Sequence, residues 1–321
     1  MVLRRIELAA EGALRHLLGA PRPSVGRHDT FSGFLPWDLT TCDALGVPRT
    51  ASGFDAVHGA QMLEFAGVCH LPRALETAQV DACRTSAIAR HEAVRDRVQT
   101  LGHNPNGHFR FHEACQRGRG RIDMRLSGDD AAPFDASELG SGAPWLPLVR
   151  QALGEDARLL YRGVVATSPG AEEQAAHADG PPVGYDTWRR HADTSCDEAL
   201  QHRVASGGPL PIHALTVFVP LVDTNAANGA TSFYPGTHHV STMEALAAEA
   251  AEAGCASGAG AAARLDATAG DALIFDHRLF HFGGANRTVG VRPILYLVYA
   301  RSWFDDMHNF PGPEISLALD G

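Results

Sequence analysis

With 321 residues, 45% of them hydrophobic and 20% charged, the chain has the composition of an ordinary globular protein, long enough for one large β domain or two smaller ones. The 27 basic residues against 37 acidic ones give a formal net charge of −10, which argues against a nucleic-acid backbone as partner. No apolar run approaches the ~18 residues of a membrane span, and the six cysteines (Cys42, Cys69, Cys83, Cys115, Cys196 and Cys255) contain no C-x-x-C pair, which weakens both a zinc ribbon and a disulfide framework.

Residues 1–55 combine a short helical pattern over 6–18 with Pro-, Gly- and Ser-rich segments, and read as an N-terminal extension packed on a main domain that spans 56–321. Arg4 and Arg5 are followed by Glu7 and Glu11 without a clean apolar core, so a cytoplasmic protein is expected, with an organelle leader left open. A helix end then leads into a short strand at 67–72. A long amphipathic helix over about 74–101 follows, with Ala78, Ala82, Ala89, Ala93 and Val94 as its apolar positions. His103, His108 and His112 have neither helical spacing nor a carboxylate beside them, which argues against a metal site there. The arginines between 117 and 125 read as an exposed loop entering a strand at 122–126, in preference to a phosphate or carboxylate site. A turn-rich connector at 129–142, a helix at 144–153 and an apolar, β-branched strand at 158–167 come next.

Ser168-Pro169-Gly170 breaks that strand, and Gln174-Ala175-Ala176-His177-Ala178-Asp179-Gly180 follows. With 17 His and 37 acidic residues, about two His-x-Asp/Glu triplets arise by chance, and His191-Ala192-Asp193 is a second one. Only His177 has a strand and a turn before it; His191 sits in a polar stretch. Residues 186–211 are long and polar and are expected to form a lid over substrate. A strand at 211–222 alternates about Leu215, Val217 and Val219, a turn at 223–229 leads into residues 230–234, and His238 and His239 after Pro235-Gly236 read as structural. Residues 241–263 are an Ala-, Glu- and Gly-rich peripheral insertion, and two further strands occupy 271–275 and 291–303. Short strands between Gly and Pro turns, after a helical first third, predict a mainly β fold, an antiparallel double-sheet jelly roll with N-terminal helices. The chain has no internal repeat, no G-x-G-x-x-G and no Walker loop.

His177, Asp179 and His281 supply two imidazoles and one carboxylate, the donor set that binds one face of an octahedral Fe(II) and leaves three positions for a 2-oxo acid and O₂. On the last strand Arg292, Ile294, Tyr296 and Val298 share a face. An arginine turned into a barrel is costly unless it meets an anion, and a carboxylate matches its fork; a protein carboxylate is the alternative partner. His277, between Asp276 and Arg278, is expected at a surface bend, although its spacing also allows it to chelate with His281 from one helix face.

Ser168-Pro169-Gly170, Gln174, His177-Ala178-Asp179-Gly180, Asn228-Gly229-Ala230-Thr231, Pro235-Gly236-Thr237-His238, Gly270-Asp271, His281, Asn286 and Arg292 together resemble the phytanoyl-CoA dioxygenase family of Fe(II)- and 2-oxoglutarate-dependent oxygenases, over about residues 56–304. The resemblance implies a double-stranded β-helix flanked by α-helices, iron on His177, Asp179 and His281, and the distal carboxylate of 2-oxoglutarate on Arg292. It also implies secondary polar contacts to that cosubstrate from Gln174 and Thr231. Many members place Ser or Thr two residues after the distal histidine; here that position is Gly283, and Thr231 is expected to compensate. The implied activity is oxidation, most simply hydroxylation, of an aliphatic C–H in a small organic substrate, with 2-oxoglutarate and O₂ converted to succinate and CO₂. The alternatives are a non-catalytic jelly-roll binding protein and a zinc hydrolase or isomerase on the same triad. Arg189, Arg190 and Arg203 in the lid favour a negatively charged substrate, and the chain is expected to act as a monomer or homodimer without nucleic-acid or membrane partners.

Overall fold

The structure is a computed structural model that describes residues 45–126 except 52, 132–180, 183, 210–239, 262–306, 309 and 316–317. In chain order its elements are β1 (Arg49–Thr50), β2 (Gly53–Phe54), α1 (Ala56–Ala66), β3 (Val68–Leu71), α2 (Thr77–Thr100), β4 (Ala114–Gln116), β5 (Arg121–Leu126), α3 (Leu146–Leu153) and β6 (Arg158–Thr167). The second half adds β7 (Ala214–Pro220), β8 (Thr231–Phe233), β9 (Ala263–Arg264), β10 (Ala272–Asp276), β11 (His281–Gly283) and β12 (Arg292–Ala300). The predicted helix at 6–18, residues 186–209 of the predicted lid with its arginines and the His191-Ala192-Asp193 triplet, and all but the last residues of the 241–263 insertion lie outside the described residues.

Seven strands form one antiparallel sheet in the order β3-β10-β7-β12-β6-β5-β4, and β11-β8-β9 form a second, smaller one. This is the expected mainly β jelly-roll architecture. Alternation assigns the two faces of the large sheet. Ile122, Met124, Val164, Ala166, Val217, Val219, Leu295 and Leu297 lie in register on one face. All of them are fully buried in the same core as Val80, Cys83, Ala87 and Val94 of α2 and Leu63, Leu148 and Leu153 of α1 and α3. Arg121, Thr167, Thr216, Phe218, Arg292 and Tyr296 occupy the other face, which turns towards the small sheet. Leu45 and Val47, from the end of the predicted extension, are also in the core, joined to β3 by hydrogen bonds between His70 N–H and the Leu45 carbonyl and between Val47 N–H and the His70 carbonyl.

Local signals explain the helix ends. Asp55 caps α1 by accepting from His58 N–H at 3.0 Å, and Gly67 closes it with an N–H on the Leu63 carbonyl. In α2 the predicted apolar face is wrong except for Val94: Ala78, Ala82, Ala89 and Ala93 are exposed, and the buried stripe is Val80, Cys83, Ala87, His91, Val94 and Val98. Alanine is tolerated on a solvated helix face because it contributes propensity without needing burial. His91 fits among apolar neighbours because its Nε2 lies 3.2 Å from Ser168 Oγ; burial, with Arg95 adding, pushes its pKa down to about 4. His103 packs edge-on against Phe111. No described helix is long and apolar enough to cross a membrane.

The segment after β10 corrects the sequence reading most sharply. Asp276, His277 and Arg278 are buried, at 0%, 1% and 6% exposure, where a surface bend was expected. Arg278 folds back on Asp276 with Nε–Oδ1 at 2.9 Å and Nη2–Oδ2 at 2.6 Å, while its Nη1 donates to the Leu210 carbonyl. Three consecutive polar residues can be buried here because the carboxylate and guanidinium neutralise each other. Burial pushes the Asp276 carboxyl up, but Arg278 outweighs it, and the group is held far below the ordinary carboxylate range.

Removing this carboxylate leaves Arg278 buried without its counter-ion. Asp276→Asn is expected to cost about 3–5 kcal/mol in urea unfolding at neutral pH. Because the folded pKa is depressed, this stability is present above the unfolded value, about pH 4, and is lost as pH falls below it. The variant should therefore show a shallower loss of stability below pH 4 than the wild type. Equal slopes would sink the assignment.

Candidate metal centre

Residues 170–180 run antiparallel to 277–286, and the pairing sets the register of the site. Gly170 N–H donates to the Asn286 carbonyl, Gln174 N–H to Gly283, and His177 and His281 exchange both backbone hydrogen bonds at 2.9 and 2.8 Å. Asp179 N–H continues the run onto the His277 carbonyl at 3.1 Å. In such a doubly bonded antiparallel pair the two side chains project to the same side, and the rings of His177 and His281 lie 4.6 Å apart between centroids. Asp179, two residues on, returns to that side because side chains alternate.

Each ring nitrogen has a determinate role. His177 Nδ1 faces the Ala175 carbonyl at 2.9 Å and His281 Nδ1 faces the Leu279 carbonyl at 2.9 Å. A carbonyl only accepts, so both Nδ1 atoms carry a proton and Nε2 is the ring atom each histidine can offer to a metal. Thr216 Oγ1 donates to Asp179 Oδ2 at 2.9 Å, while Asp179 Oδ1 lies 3.5 Å from His281 Nε2. One ligand atom from each of the three residues falls within 4.8 Å of the others, and among the described residues no other His, Cys, Asp or Glu group gathers in this way. His281 is buried, whereas His177 and Asp179 are half-buried, so the centre opens on their side. Burial lowers the His281 pKa to about 4 despite the opposing pull of Asp179, which keeps the imidazole neutral and able to donate its lone pair at neutral pH. Burial raises the Asp179 carboxyl, but His281, His277, His177 and the Thr216 hydroxyl outweigh it and hold it below its usual value. Two imidazoles and one carboxylate suit a divalent iron.

Arg292 lies on the same inner face, 2% exposed. Its Nη2 donates to Thr167 Oγ1 at 2.9 Å, and its buried Nε and Nη1 have no hydrogen-bond partner among the described residues. Burial, with the like charge of Arg121 adding, pushes its pKa down to about 9. A desolvated guanidinium with two orphaned donors is the complement of a carboxylate, so the residues present fit 2-oxoglutarate as well as iron. Asn286 builds the preceding turn: it donates to the Thr167 and Gly290 carbonyls and accepts from Thr288 N–H and Oγ1.

Gln174 Oε1 accepts from Gly283 N–H at 3.0 Å, so its side-chain carbonyl is engaged by the main chain. Thr231 is buried directly across from Gly283 on β8, beside the Phe233–His281 pair. The space near Gly283 is taken by a residue that the sequence reading placed in an exposed loop. Arg121 is 2% exposed, and its Nη2 donates to the carbonyls of Glu172, Gly283 and Gly284 at 3.1, 3.4 and 3.1 Å. A Cβ at position 283 would stand 2.2 Å from its Nη1. The Arg121-Ile122-Asp123-Met124 alternation carried the signal: with Ile122 and Met124 in the core, residues 121 and 123 must share the inner face. Asp123 there accepts from Tyr296 Oη at 2.8 Å and pairs with Arg117 Nε at 3.0 Å.

His277 was also missed, as was Thr216. The hydroxyl of Thr216 spends its proton on Asp179 and lies 3.2 Å from His277 Nδ1, from which it accepts. A Cβ at Gly180 would stand 2.7 Å from the His277 ring, which accounts for glycine after Asp179. Beyond β12, Asn309 Nδ2 donates to the Asp179 carbonyl at 2.8 Å and Asp306 accepts from Tyr161, closing the C-terminal segment against the centre.

A family model for phytanoyl-CoA dioxygenases (PhyH) matches residues 63–294, most of the chain. The chain belongs to this family. It is an iron- and 2-oxoglutarate-dependent dioxygenase with a His-x-Asp…His triad. Solved structures similar to it include the non-haem α-ketoglutarate-dependent epimerase SnoN from nogalamycin biosynthesis, at 18% identity and a TM-score of 0.50, covering 80% of this chain and 88% of that one. AviO1 from Streptomyces viridochromogenes Tue57 matches at 17% identity and a TM-score of 0.51, covering 78% and 97%. At these identities the likeness supports the PhyH-type fold.

Thr216→Val keeps the shape of the residue and deletes the donor that orients Asp179. The variant is expected to bind Fe(II) about 10–100-fold more weakly with its fold intact, as read by metal titration under anaerobic conditions, whereas Thr216→Ser should stay near wild type. Unchanged affinity in the valine variant would remove Thr216 from the site.

Proposed function

We propose that this dioxygenase hydroxylates an aliphatic C–H of a small organic substrate, with iron held by His177, Asp179 and His281 and the distal carboxylate of 2-oxoglutarate held by Arg292. The observation that carries the cosubstrate assignment is the buried guanidinium of Arg292 with Nε and Nη1 unpartnered. Bound iron(II) with 2-oxoglutarate and O₂ would supply the oxidising power, one oxygen atom entering the substrate as a hydroxyl and the other appearing in succinate as CO₂ leaves. Hydroxylation asks least of the protein, because it needs only a C–H held against the open side of the centre and no further acid or base. The chain's own work is to fix the two Nε2 lone pairs, orient Asp179 through Thr216, clamp an anion and limit water.

Gln174 and Thr231 are proposed as secondary polar contacts to the same cosubstrate, and the 186–211 segment as the lid. On the inner face beside Asp179, Tyr296 with Asp123 and Tyr161 with Asp306 offer phenol and carboxylate groups, which supports a substrate with polar substituents around the reacting carbon. A main domain over 56–321 and action as a monomer or homodimer on a small molecule complete the reading. Screening metabolites for substrate-stimulated succinate release, with a product that gains one oxygen atom, tests it; a product that only loses two hydrogens would assign desaturation instead.

Arg292→Met separates an anion clamp from a structural ion pair. A clamp is an uncompensated charge in the ligand-free protein, so the variant is expected to unfold at the same or higher urea concentration while 2-oxoglutarate-dependent succinate release is lost. Destabilisation by about 3–5 kcal/mol would instead mark a protein carboxylate as the partner.

A further inference from the structure

Asp179 approaches the metal centre from a point where the ladder between residues 170–180 and 277–286 loses its regular step. After the His177–His281 exchange, unbroken antiparallel pairing would next bring Asp179 N–H to the Leu279 carbonyl. That carbonyl faces His281 Nδ1 instead, and the N–H groups of Asp179 and Gly180 both turn to the His277 carbonyl, at 3.1 and 3.3 Å. Among the described residues no backbone N–H donates to the Asp179 carbonyl. Its hydrogen bond comes from a side chain beyond β12, Asn309 Nδ2, at 2.8 Å.

Asn309 is itself firmly held. Its N–H donates to Asp306 Oδ1 at 3.1 Å, its Nδ2 also donates to Asp306 Oδ2 at 2.8 Å, and its carbonyl accepts from Arg110 and Arg117 Nη2, each at 3.4 Å. Asp306 is fixed by Tyr161, and Arg117 by Asp123 on the inner face of β5. Among uncharged side chains only Asn and Gln carry two hydrogens on one nitrogen, which is what dividing a donor between a main-chain carbonyl and a carboxylate requires. Asp179 is thus held at both ends: its carboxylate by Thr216 and its main chain by Asn309.

We infer that Asn309 is a positioning residue for the metal ligand Asp179, fixing the peptide that follows it where the ladder no longer does. The inference rests on the reading of Asp179 as an iron ligand. If Asn309 only fastened the C-terminal segment, loosening that segment elsewhere would have the same effect. Leu317 supplies the comparison, because it is fully buried and its N–H is held by Glu113, not by the metal centre.

The test titrates the full chain anaerobically with Fe(II), and with Co(II), whose visible absorption reports on ligand geometry. Asn309→Ala is expected to weaken Fe(II) about 10–100-fold, as loss of a contact that orients a ligand does, and to alter the Co(II) spectrum. Asn309→Asp, which keeps the shape, removes the donor and sets a charge beside Asp306, should be at least as weak, whereas Asn309→Gln should recover part of the affinity. Leu317→Ala should lower the urea midpoint while its folded form keeps wild-type Fe(II) affinity and Co(II) spectrum. If the alanine variant does not fold, Asn309→Asp against Asn309→Gln decides the matter. Wild-type Fe(II) affinity and Co(II) spectrum in the Asn309 variants, or the same losses in Leu317→Ala, overturn the inference. The ligand assignment is judged separately: wild-type Fe(II) affinity in Asp179→Ala removes the metal centre as read, whereas loss there with none in the Asn309 variants removes only Asn309.

Discussion

The pair of backbone hydrogen bonds exchanged by His177 and His281 is the interaction on which the site depends. It joins two segments remote in sequence and fixes which residues face each other, so the rings meet because the main chains are in register. Asp179 joins them only because its side chain returns to the same side after one intervening residue, which is why the spacing in His177-Ala178-Asp179 matters more than the residue between. A slip of one position in residues 170–180 would turn His177 and Asp179 together away from His281. The close approach of Gly180 to His277 protects that register at its end, since a side chain at 180 would push the run of residues 177–180 off its partner.

Charge divides the interior into two kinds of buried arginine. Arg278 is closed on Asp276 by two hydrogen bonds and belongs to the scaffold. Arg292 has a threonine hydroxyl and, among the described residues, no partner for its Nε and Nη1. The fold places a carboxylate beside a buried guanidinium when the pairing is structural, so the lack of a carboxylate beside Arg292 among the described residues marks that pocket as different. Leaving a cation dry and uncompensated costs stability in the free protein, and any anion that binds there returns it, so occupancy and folding stability are linked.

Much of this was legible from period-two alternation and spacing. The strands at 158–167, 211–222, 271–275 and 291–303 stood out as apolar, β-branched runs between Gly and Pro turns, with clear alternation about Leu215, Val217 and Val219, and Arg292 followed as the charged residue on one face of the last of them. β11 did not stand out: three residues, His281-Phe282-Gly283, carry no alternation of their own and become a strand only by pairing with β8. Arg121 and the Asp276-His277-Arg278 cluster failed for a shared reason. Charged residues near Gly are read as solvated, and nothing local shows that a counter-ion or a ligand pocket will be supplied by a distant part of the chain. In α2 the error was of another kind, because alanine marks a helix without marking which side of it is buried.

The two halves of the site differ in what holds them, and this bears on how far sequence can drift beneath one fold. Around the metal ligands the fixing contacts are largely main-chain ones: the His177–His281 exchange, the Ala175 and Leu279 carbonyls on Nδ1, and the Gly283 carbonyl on Gln174 N–H. Such contacts survive most changes of side chain, which is consistent with a shared architecture at 17–18% identity. The inner face beyond Asp179 is held instead by side chains, Asp123 with Tyr296 and Arg117, and Tyr161 with Asp306. Each of those bonds disappears with a single substitution. On the proposed reading of the site, change on β5, β6 and β12 and in the segment after β12 is possible without disturbing the register that assembles the metal centre.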